Sequence, residues 1–200
     1  MPAPTLIIVN PKAGKKPPRV SRLEARLQEA LGEVEIARTA KPRDAIRLAR
    51  EAVRSGVERL VVGGGDGTLS EVVTGILDAG LGGEVEIGFL PLGSGCDLAR
   101  SVGLPRSIPQ ALRLLAEGER RQLDAGRVQF MGRDGKPGSS CFVNETSFGL
   151  SGLTVDWMNR FGRGLGPRLG FAVAAAQAVL RGSKPDVSIL VDGREVHSGP

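Results

Sequence analysis

The feature that most constrains this chain is a run of glycines between a short apolar strand and an amphipathic helix. Leu60, Val61 and Val62 predict a buried strand, four of the next five residues are glycine, and an apolar helical stripe begins at Thr68. Glycines have no Cβ and tolerate positive φ, so successive N–H groups can converge on an oxyanion at the positive end of a helix. We therefore expect residues 63–68, which we call the glycine loop, to bind phosphate; the alternative is a turn that binds no ligand.

Asp66 is the one carboxylate in the glycine loop. It would repel a phosphate unless a cation lay between them or unless it handled a proton of the acceptor substrate, and a cap on the following helix is the structural alternative. No Gly-Lys-Ser/Thr follows the glycines, which excludes a Walker-type loop. The spacing also does not fit the dinucleotide fingerprint Gly-x-Gly-x-x-Gly.

Strand patterns alternate with helix patterns through the first part of the chain. The strands are predicted at residues 5–10, 34–39, 60–62 and 85–91. This alternation predicts a doubly wound α/β fold with a parallel sheet. Ligands of such sheets bind beyond the carboxyl ends of the strands. The loops at Asn10, at Thr39, at the glycine loop and at residues 93–97 should therefore gather at one edge.

The pattern changes at residue 122. Residues 123–130 and 140–147 predict one hairpin, residues 149–166 are rich in Gly and Arg, residues 167–180 predict an apolar helix, and residues 185–197 predict a second hairpin. We assign residues 1–121 to a nucleotide-binding α/β domain and residues 122–200 to part of a β-rich domain for a lipid substrate. Its unpaired strand edges predict either a fragment of a longer protein or a short form that pairs those edges in a homodimer.

Composition narrows the classes of partner. The net charge is +5, but six Phe, one Trp, no Tyr and no compact basic run argue against nucleic acid. Cys96, Cys141 and His197 lack the spacing of a zinc site, and the cysteines are expected to be reduced thiols of a cytosolic protein. The apolar helix is too short to span a bilayer, so any membrane contact is expected to be peripheral.

Four segments, taken together and in order, resemble the diacylglycerol kinase catalytic-domain superfamily. They are Asn-Pro-Lys-Ala-Gly at 10–14, Gly-Gly-Asp-Gly-Thr at 64–68 with Glu71, Pro-Leu-Gly-Ser-Gly-Cys-Asp-Leu-Ala-Arg at 91–100, and Phe-Val-Asn-Glu-Thr-Ser-Phe-Gly at 142–149. Within that superfamily the chain is most similar to the soluble bacterial lipid kinases. Sphingosine and ceramide kinases are related, and NAD kinase is a more distant relative.

The resemblance implies a kinase that uses ATP and Mg²⁺ to phosphorylate the hydroxyl of diacylglycerol or a similar lipid at the inner membrane face. It implies a catalytic role for Asp66 and a metal-organising role for Asp66, Asp97 and Asp124. The implied nucleotide-binding residues are Asn10, Pro11, Lys12, Ala13, Gly14, Thr39, Gly64, Gly65, Asp66, Gly67, Thr68, Leu69, Ser70, Glu71 and Ser94. The acyl chains would lie along residues 142–153 and the 167–180 helix.

The chain departs from the family pattern at a few positions. Cys96 stands where the family usually has Asn, Leu98 where it has Phe, and Ser94 where it has Thr. Family members also continue past the position of Pro200, with a structural Mg²⁺ site and a proposed general base. Two other functions stay open: an NAD-kinase-like enzyme, and a nucleotide- or lipid-binding module without activity. Arg160, Arg163, Arg168 and Arg181 form either an anionic-lipid patch or a solvated face.

Overall fold

The computed structural model describes residues 4–14, 20–132, 134–147, 149–161, 167–181 and 186–199. The chain divides into two compact units, Met1–Glu145 and Thr146–Pro200. Each unit is described by itself below.

A four-stranded parallel sheet forms the centre of the first unit. Its strands are β1 (Thr5–Val9), β2 (Glu35–Arg38), β3 (Arg59–Gly64) and β4 (Glu86–Pro91), in the order β2-β1-β3-β4. Val9, the last residue of β1, lies opposite Arg38 on one side and Gly63 on the other. The predicted parallel α/β sheet is therefore confirmed, and its strands end together at one edge.

Helices cover both faces of this sheet. They are α1 (Val20–Leu31), α2 (Asp44–Arg54), α3 (Asp66–Asp78), α4 (Asp97–Ser101) and α5 (Ile108–Glu117). Side chains of a strand alternate between the two faces, so Ile8 and Val62 pack into the core beneath α2 and α3, while Ile7 and Val61 pack into the core beneath α1 and α5. All four side chains are fully buried. Burial on both faces explains why these strands are almost entirely apolar.

The helices α2 and α3 approach each other closely because Gly75 has no side chain. A Cβ at this position would lie 2.4 Å from the carbonyl oxygen of Ile46, which is closer than any real contact. Farther along the same interface, the Arg50 guanidinium pairs with Asp78 at 2.8 Å. The position of α3 relative to α2 is thus set by backbone contact as well as by side chains.

An antiparallel hairpin of β5 (Gly126–Met131) and β6 (Pro137–Phe142) completes the first unit. The Ser70 hydroxyl of α3 donates to the Cys141 carbonyl, and the Cys141 N–H donates to the Thr74 hydroxyl oxygen at 2.9 Å. Arg127 of the hairpin pairs with Asp78 at 2.8 Å. The hairpin thus packs on α3 in the first unit, whereas the sequence placed it beyond a boundary at residue 122. The assignment of residues 122–200 to a lipid-substrate domain stays a prediction.

The second unit contains α6 (Leu150–Phe161), α7 (Pro167–Arg181), β7 (Val187–Val191) and β8 (Arg194–Gly199). α7 packs on α6 and buries Ala174 and Ala178, which are one helical turn apart. The β7–β8 hairpin turns at Asp192 and Gly193, both with positive φ, as predicted. α6 was not predicted. The proposed patch of arginines at 160, 163, 168 and 181 falls on side chains outside the described part.

Within the described ranges, no helix is long and apolar enough to cross a membrane.

Candidate functional site

The order of the strands places a crevice between β1 and β3. The chain runs outward from β1 to β2 and outward from β3 to β4, so the connections leave these two neighbouring strands in opposite directions. Doubly wound sheets bind ligands at such a point, beyond the carboxyl ends of the strands. Asn10 follows β1 and Gly65 follows β3, so the predicted residues do lie at this crevice.

A cavity of about 450 Å³ opens there. This volume is within the usual range for small-molecule sites. It is lined by Asn10, Lys12, Ala13, Gly14, Thr39, Ala40, Lys41, Pro42, Gly65, Gly67, Thr68, Glu71 and Gly93. The structure thus brings together residues that follow each of the four strands, as the sequence predicted for this edge.

Asn10 connects the end of β1 to the start of α3. Its backbone N–H donates to the Gly63 carbonyl at 2.8 Å, and its side-chain Nδ2 donates to the Thr68 hydroxyl at 3.1 Å. The Asn10 Oδ1 accepts the Lys12 backbone N–H at 3.0 Å, which closes a tight turn. The amide therefore fixes one side of the cavity against the other by hydrogen bonds.

The N-terminus of α3 points into this cavity. Its N-cap, Gly65, has an extended backbone (φ −106°, ψ −175°), and no side chain in the described ranges caps the helix. The first N–H groups of a helix have no partner within it, and the helix dipole adds positive potential there. Lys12 and Lys41 add cationic side chains to the lining. The site is built to receive an anion.

The glycines in the glycine loop and at position 93 beside it are required for different reasons. A Cβ at Gly64 would lie 2.6 Å from the Thr68 side chain, and one at Gly93 would lie 2.5 Å from the Cα of Gly65. Packing within the protein therefore requires both of these glycines. By contrast, a Cβ at Gly67 meets no heavy atom of the described residues within 4 Å. The fold does not require glycine at position 67, which lines the cavity.

Asp66, the first residue of α3, and Asp97, the first residue of α4, come together beside the loop that connects β4 to α4. Carboxylate oxygens of both residues flank Gly95, at 3.3 and 3.4 Å from the position of a Cβ there. Asp66 Oδ1 accepts the Leu98 N–H at 3.2 Å, and Asp97 pairs with Arg100 at 2.8 Å. The Asp66 carboxylate thus accepts a hydrogen bond from the backbone of α4.

Asp124 is not part of this pair. It is exposed in the segment before β5, and the described ranges contain no group of three acidic, Cys or His residues that could hold a metal ion. Protein-bound Mg²⁺ is usually held by one or two carboxylates together with substrate phosphates. Asp66 and Asp97 fit that pattern. The metal-organising roles of all three carboxylates stay predictions.

Several predicted nucleotide-binding residues do not line the cavity. Leu69 is buried in the core, and the Ser70 hydroxyl is bonded to the β6 backbone. Pro11, Gly64 and Asp66 are likewise absent from the lining. Ser94 is exposed, and its carbonyl oxygen accepts from Arg106 at 3.4 Å. The nucleotide-binding roles of these residues stay predictions.

Cys96 acts as a buried space-filling residue of the same loop. Its side chain is fully buried and its backbone has a positive φ of 53°. The thiol donates to the Gly93 carbonyl at 3.4 Å. Burial raises the pKa of the Cys96 thiol, which keeps it protonated and unreactive.

Ala40, Lys41 and Pro42 line the cavity between β2 and α2 and were not predicted as site residues. The sequence does carry a signal for them, because Thr39 ends a predicted parallel strand and Pro42 and Asp44 are typical of the start of a helix. The residues between those points had to lie at the ligand edge.

Comparison with known proteins identifies the family. Residues 4–128 match the diacylglycerol kinase catalytic domain. The "Probable lipid kinase YegS-like" of Chromohalobacter salexigens is 35% identical over 146 residues, which cover 73% of this chain and 44% of that protein. The "Probable lipid kinase YegS" of Salmonella heidelberg is 32% identical over 146 residues, which cover 73% of this chain and 46% of that protein.

Solved structures show the same likeness. A crystal structure of a diacylglycerol kinase from Bacillus anthracis is 28% identical and superimposes with a TM-score of 0.55 over 62% of this chain and 43% of that one. The chain spans less than half the length of the relatives that it matches.

Proposed function

Because the chain belongs to the diacylglycerol kinase catalytic-domain family, we propose that it forms the nucleotide-binding part of a kinase that transfers the γ-phosphoryl group of ATP to a lipid hydroxyl. The observation that carries this proposal is the cavity between β1 and β3, into which the uncapped N-terminus of α3 points. The open glycine, the two lysines and the helix N-terminus at this cavity suit a nucleoside triphosphate better than a neutral ligand.

The residues of the cavity have distinct tasks in this proposal. The N–H groups at the start of α3 bind phosphate oxygens, and the absence of a side chain at Gly67 lets the phosphate come close to the backbone. Lys12 neutralises part of the charge that spreads over the phosphate oxygens during transfer. Asn10 holds the end of β1 against the start of α3 through its hydrogen bond to the Thr68 hydroxyl.

Asp66 and Asp97 would hold Mg²⁺, which when bound neutralises the β- and γ-phosphate oxygens. Asp66 is held in place by the Leu98 N–H at its Oδ1, and its Oδ2 lies beside Gly95. That second oxygen is the atom that would either bind the metal or accept the proton of the acceptor hydroxyl.

The acceptor class comes from the relatives. Two of them are named as probable lipid kinases and a structural relative as a diacylglycerol kinase. We therefore propose diacylglycerol or a similar lipid as acceptor, presented at the cytoplasmic face of a membrane that the protein contacts from outside the bilayer.

The test is transfer of labelled phosphate from γ-³²P-ATP, with Mg²⁺, to diacylglycerol in mixed micelles and, in parallel, to NAD. Labelled lipid is the expected product. Labelled NAD would contradict the choice of acceptor and favour an NAD-kinase-like enzyme. Binding of ATP without transfer to either acceptor would refute phosphoryl transfer by this chain and leave a nucleotide-binding module.

A further inference from the structure

Glu71, three residues after the glycine loop, makes contacts that a role in nucleotide binding does not explain. It lies in the second turn of α3 and lines the cavity, yet its carboxylate accepts backbone N–H groups from another helix. Oε1 accepts the Arg43 N–H at 3.1 Å, and Oε2 accepts the Ala45 N–H at 3.3 Å. Glu71 therefore caps the N-terminus of α2, which begins at Asp44.

The N-terminus of α2 depends on this cap. Its N-cap residue, Arg43, makes no side-chain capping bond and has a left-handed backbone with φ 65°. A residue with a Cβ is strained in that conformation, and such strain persists only where surrounding contacts impose it. The Glu71 carboxylate supplies two such contacts, and its negative charge also lies at the positive end of the α2 dipole.

A second carboxylate holds the preceding loop from the other side. The buried Asp44 accepts the Ala40 N–H at 2.9 Å through Oδ2, and its Oδ1 pairs with Arg47 at 2.9 Å. Residues 39–42 form one wall of the cavity. Asp44 holds this wall at Ala40, and Glu71 holds the chain directly after it at Arg43 and Ala45. Of the two, Glu71 is the one that connects this wall to α3.

We propose that Glu71 is a positioning residue that fixes the 39–42 wall relative to the glycine loop, and that it acts through the α2 backbone, without touching the ligand. The glycine loop and the 39–42 wall are both attached to α3. The glycine loop joins α3 at the first turn of the helix, and the wall is connected to the second turn through Glu71. The phosphate would bind at the glycine loop, so the 39–42 wall is left for the nucleoside. This last step depends on the proposed nucleotide function.

The first measurement needs no ligand. Amide hydrogen exchange is followed at Arg43 and Ala45 in the wild-type chain and in Glu71→Ala and Glu71→Gln. Loss of two charge-assisted bonds should speed exchange at both amides by about tenfold in Glu71→Ala. Glu71→Gln keeps one acceptor oxygen and should show a smaller effect. Glu29→Gln, an exposed position of α1, removes the same charge and should leave both amides unchanged.

The second measurement compares ATP with inorganic triphosphate by calorimetry, both with Mg²⁺. Glu71→Ala should bind ATP about tenfold more weakly, because the wall for the nucleoside is no longer preorganised. Triphosphate affinity should stay the same, since the glycine loop is intact. Rescue of ATP affinity in Glu71→Gln would support positioning by the side-chain acceptor.

Exchange rates or affinities that differ from these expectations would each lead to a different conclusion. Weaker ATP binding with unchanged exchange at Arg43 and Ala45 would overturn the proposal and indicate direct contact between Glu71 and the nucleotide. Tighter binding of both ligands in Glu71→Ala would also overturn it, since the carboxylate would then act only by repulsion. If the wild-type chain binds neither ligand, the nucleotide function fails, whereas the exchange rates still decide whether Glu71 holds the α2 N-terminus.

Discussion

Replacement of Gly67 by alanine should stabilise the fold and impair the site. Gly67 is the second residue of α3, its backbone is helical, and no atom of the described residues lies within 4 Å of a Cβ there. Alanine in a helix is more stable than glycine by about 0.5–1 kcal/mol, partly because the unfolded chain loses freedom. We expect the free energy of unfolding to rise by that amount.

The same methyl group should weaken ATP binding. It would be added at a residue that lines the cavity, where a phosphate oxygen has to approach the backbone N–H groups of α3. Loss of one charge-assisted hydrogen bond costs about 1.5–3 kcal/mol, and each 1.4 kcal/mol is a factor of ten in affinity. The expected loss is therefore between about tenfold and a hundredfold.

The assay pairs urea unfolding with calorimetry of ATP and Mg²⁺. Gly152→Ala is the matched control, because Gly152 also lies in a helix, α6, and a Cβ there meets nothing among the described residues within 4 Å. It should gain similar stability without any change in ATP affinity. Gly67→Ala with wild-type ATP affinity would refute the argument that this glycine serves a ligand. A loss of stability would instead show that the fold requires it.

Two further predictions concern a turn and an ion pair. Gly14 and Gly32 both have φ +81°, but a Cβ at Gly14 would lie 2.4 Å from the Leu92 carbonyl oxygen, whereas one at Gly32 meets no described atom within 4 Å. Gly32→Ala should lower the free energy of unfolding by about 1 kcal/mol because of backbone strain, and Gly14→Ala should lower it by more. Only Gly14→Ala should weaken ATP binding. Equal losses of stability in the two variants would contradict the contact with Leu92. The hydrogen bond from Arg127 lowers the pKa of Asp78 below its ordinary value of 3.8. The charged carboxylate therefore stabilises the folded state at pH values above 3.8, and this stabilisation is lost as the pH falls through the lowered pKa. Asp78→Asn should cost about 1 kcal/mol at pH 7, measured by urea unfolding, and its difference from wild type should shrink in acid; a difference that is constant with pH would contradict the assignment.

Local patterns were enough to predict the parallel sheet. Apolar runs such as Leu60–Val62 are buried on both faces, so their sequence signal does not depend on partners elsewhere in the chain. The turn at Asp192 and Gly193 was likewise encoded locally, because both residues adopt positive φ easily. The edge at which the loops meet followed from topology alone.

Features that depend on distant contacts were not predicted. α6 begins with Gly149 before it and contains Gly152, so its helical signal was weak, and its pairing with α7 decides its structure. The nucleotide-binding role of Glu71 stays a prediction, but its bonds to two backbone amides at the start of α2, 28 and 26 residues earlier, were not predicted. No local pattern reports such a partner.

The most direct test of the account is calorimetry of ATP binding with and without Mg²⁺, on the wild-type chain, on Asp66→Asn and on Asp192→Asn as an exposed control. We expect binding that requires Mg²⁺, that is weakened in Asp66→Asn and that is unchanged in Asp192→Asn. Binding that is equal in all three proteins would remove Asp66 from the site. Absence of ATP binding to the wild-type chain would contradict the placement of a nucleotide in the cavity between β1 and β3.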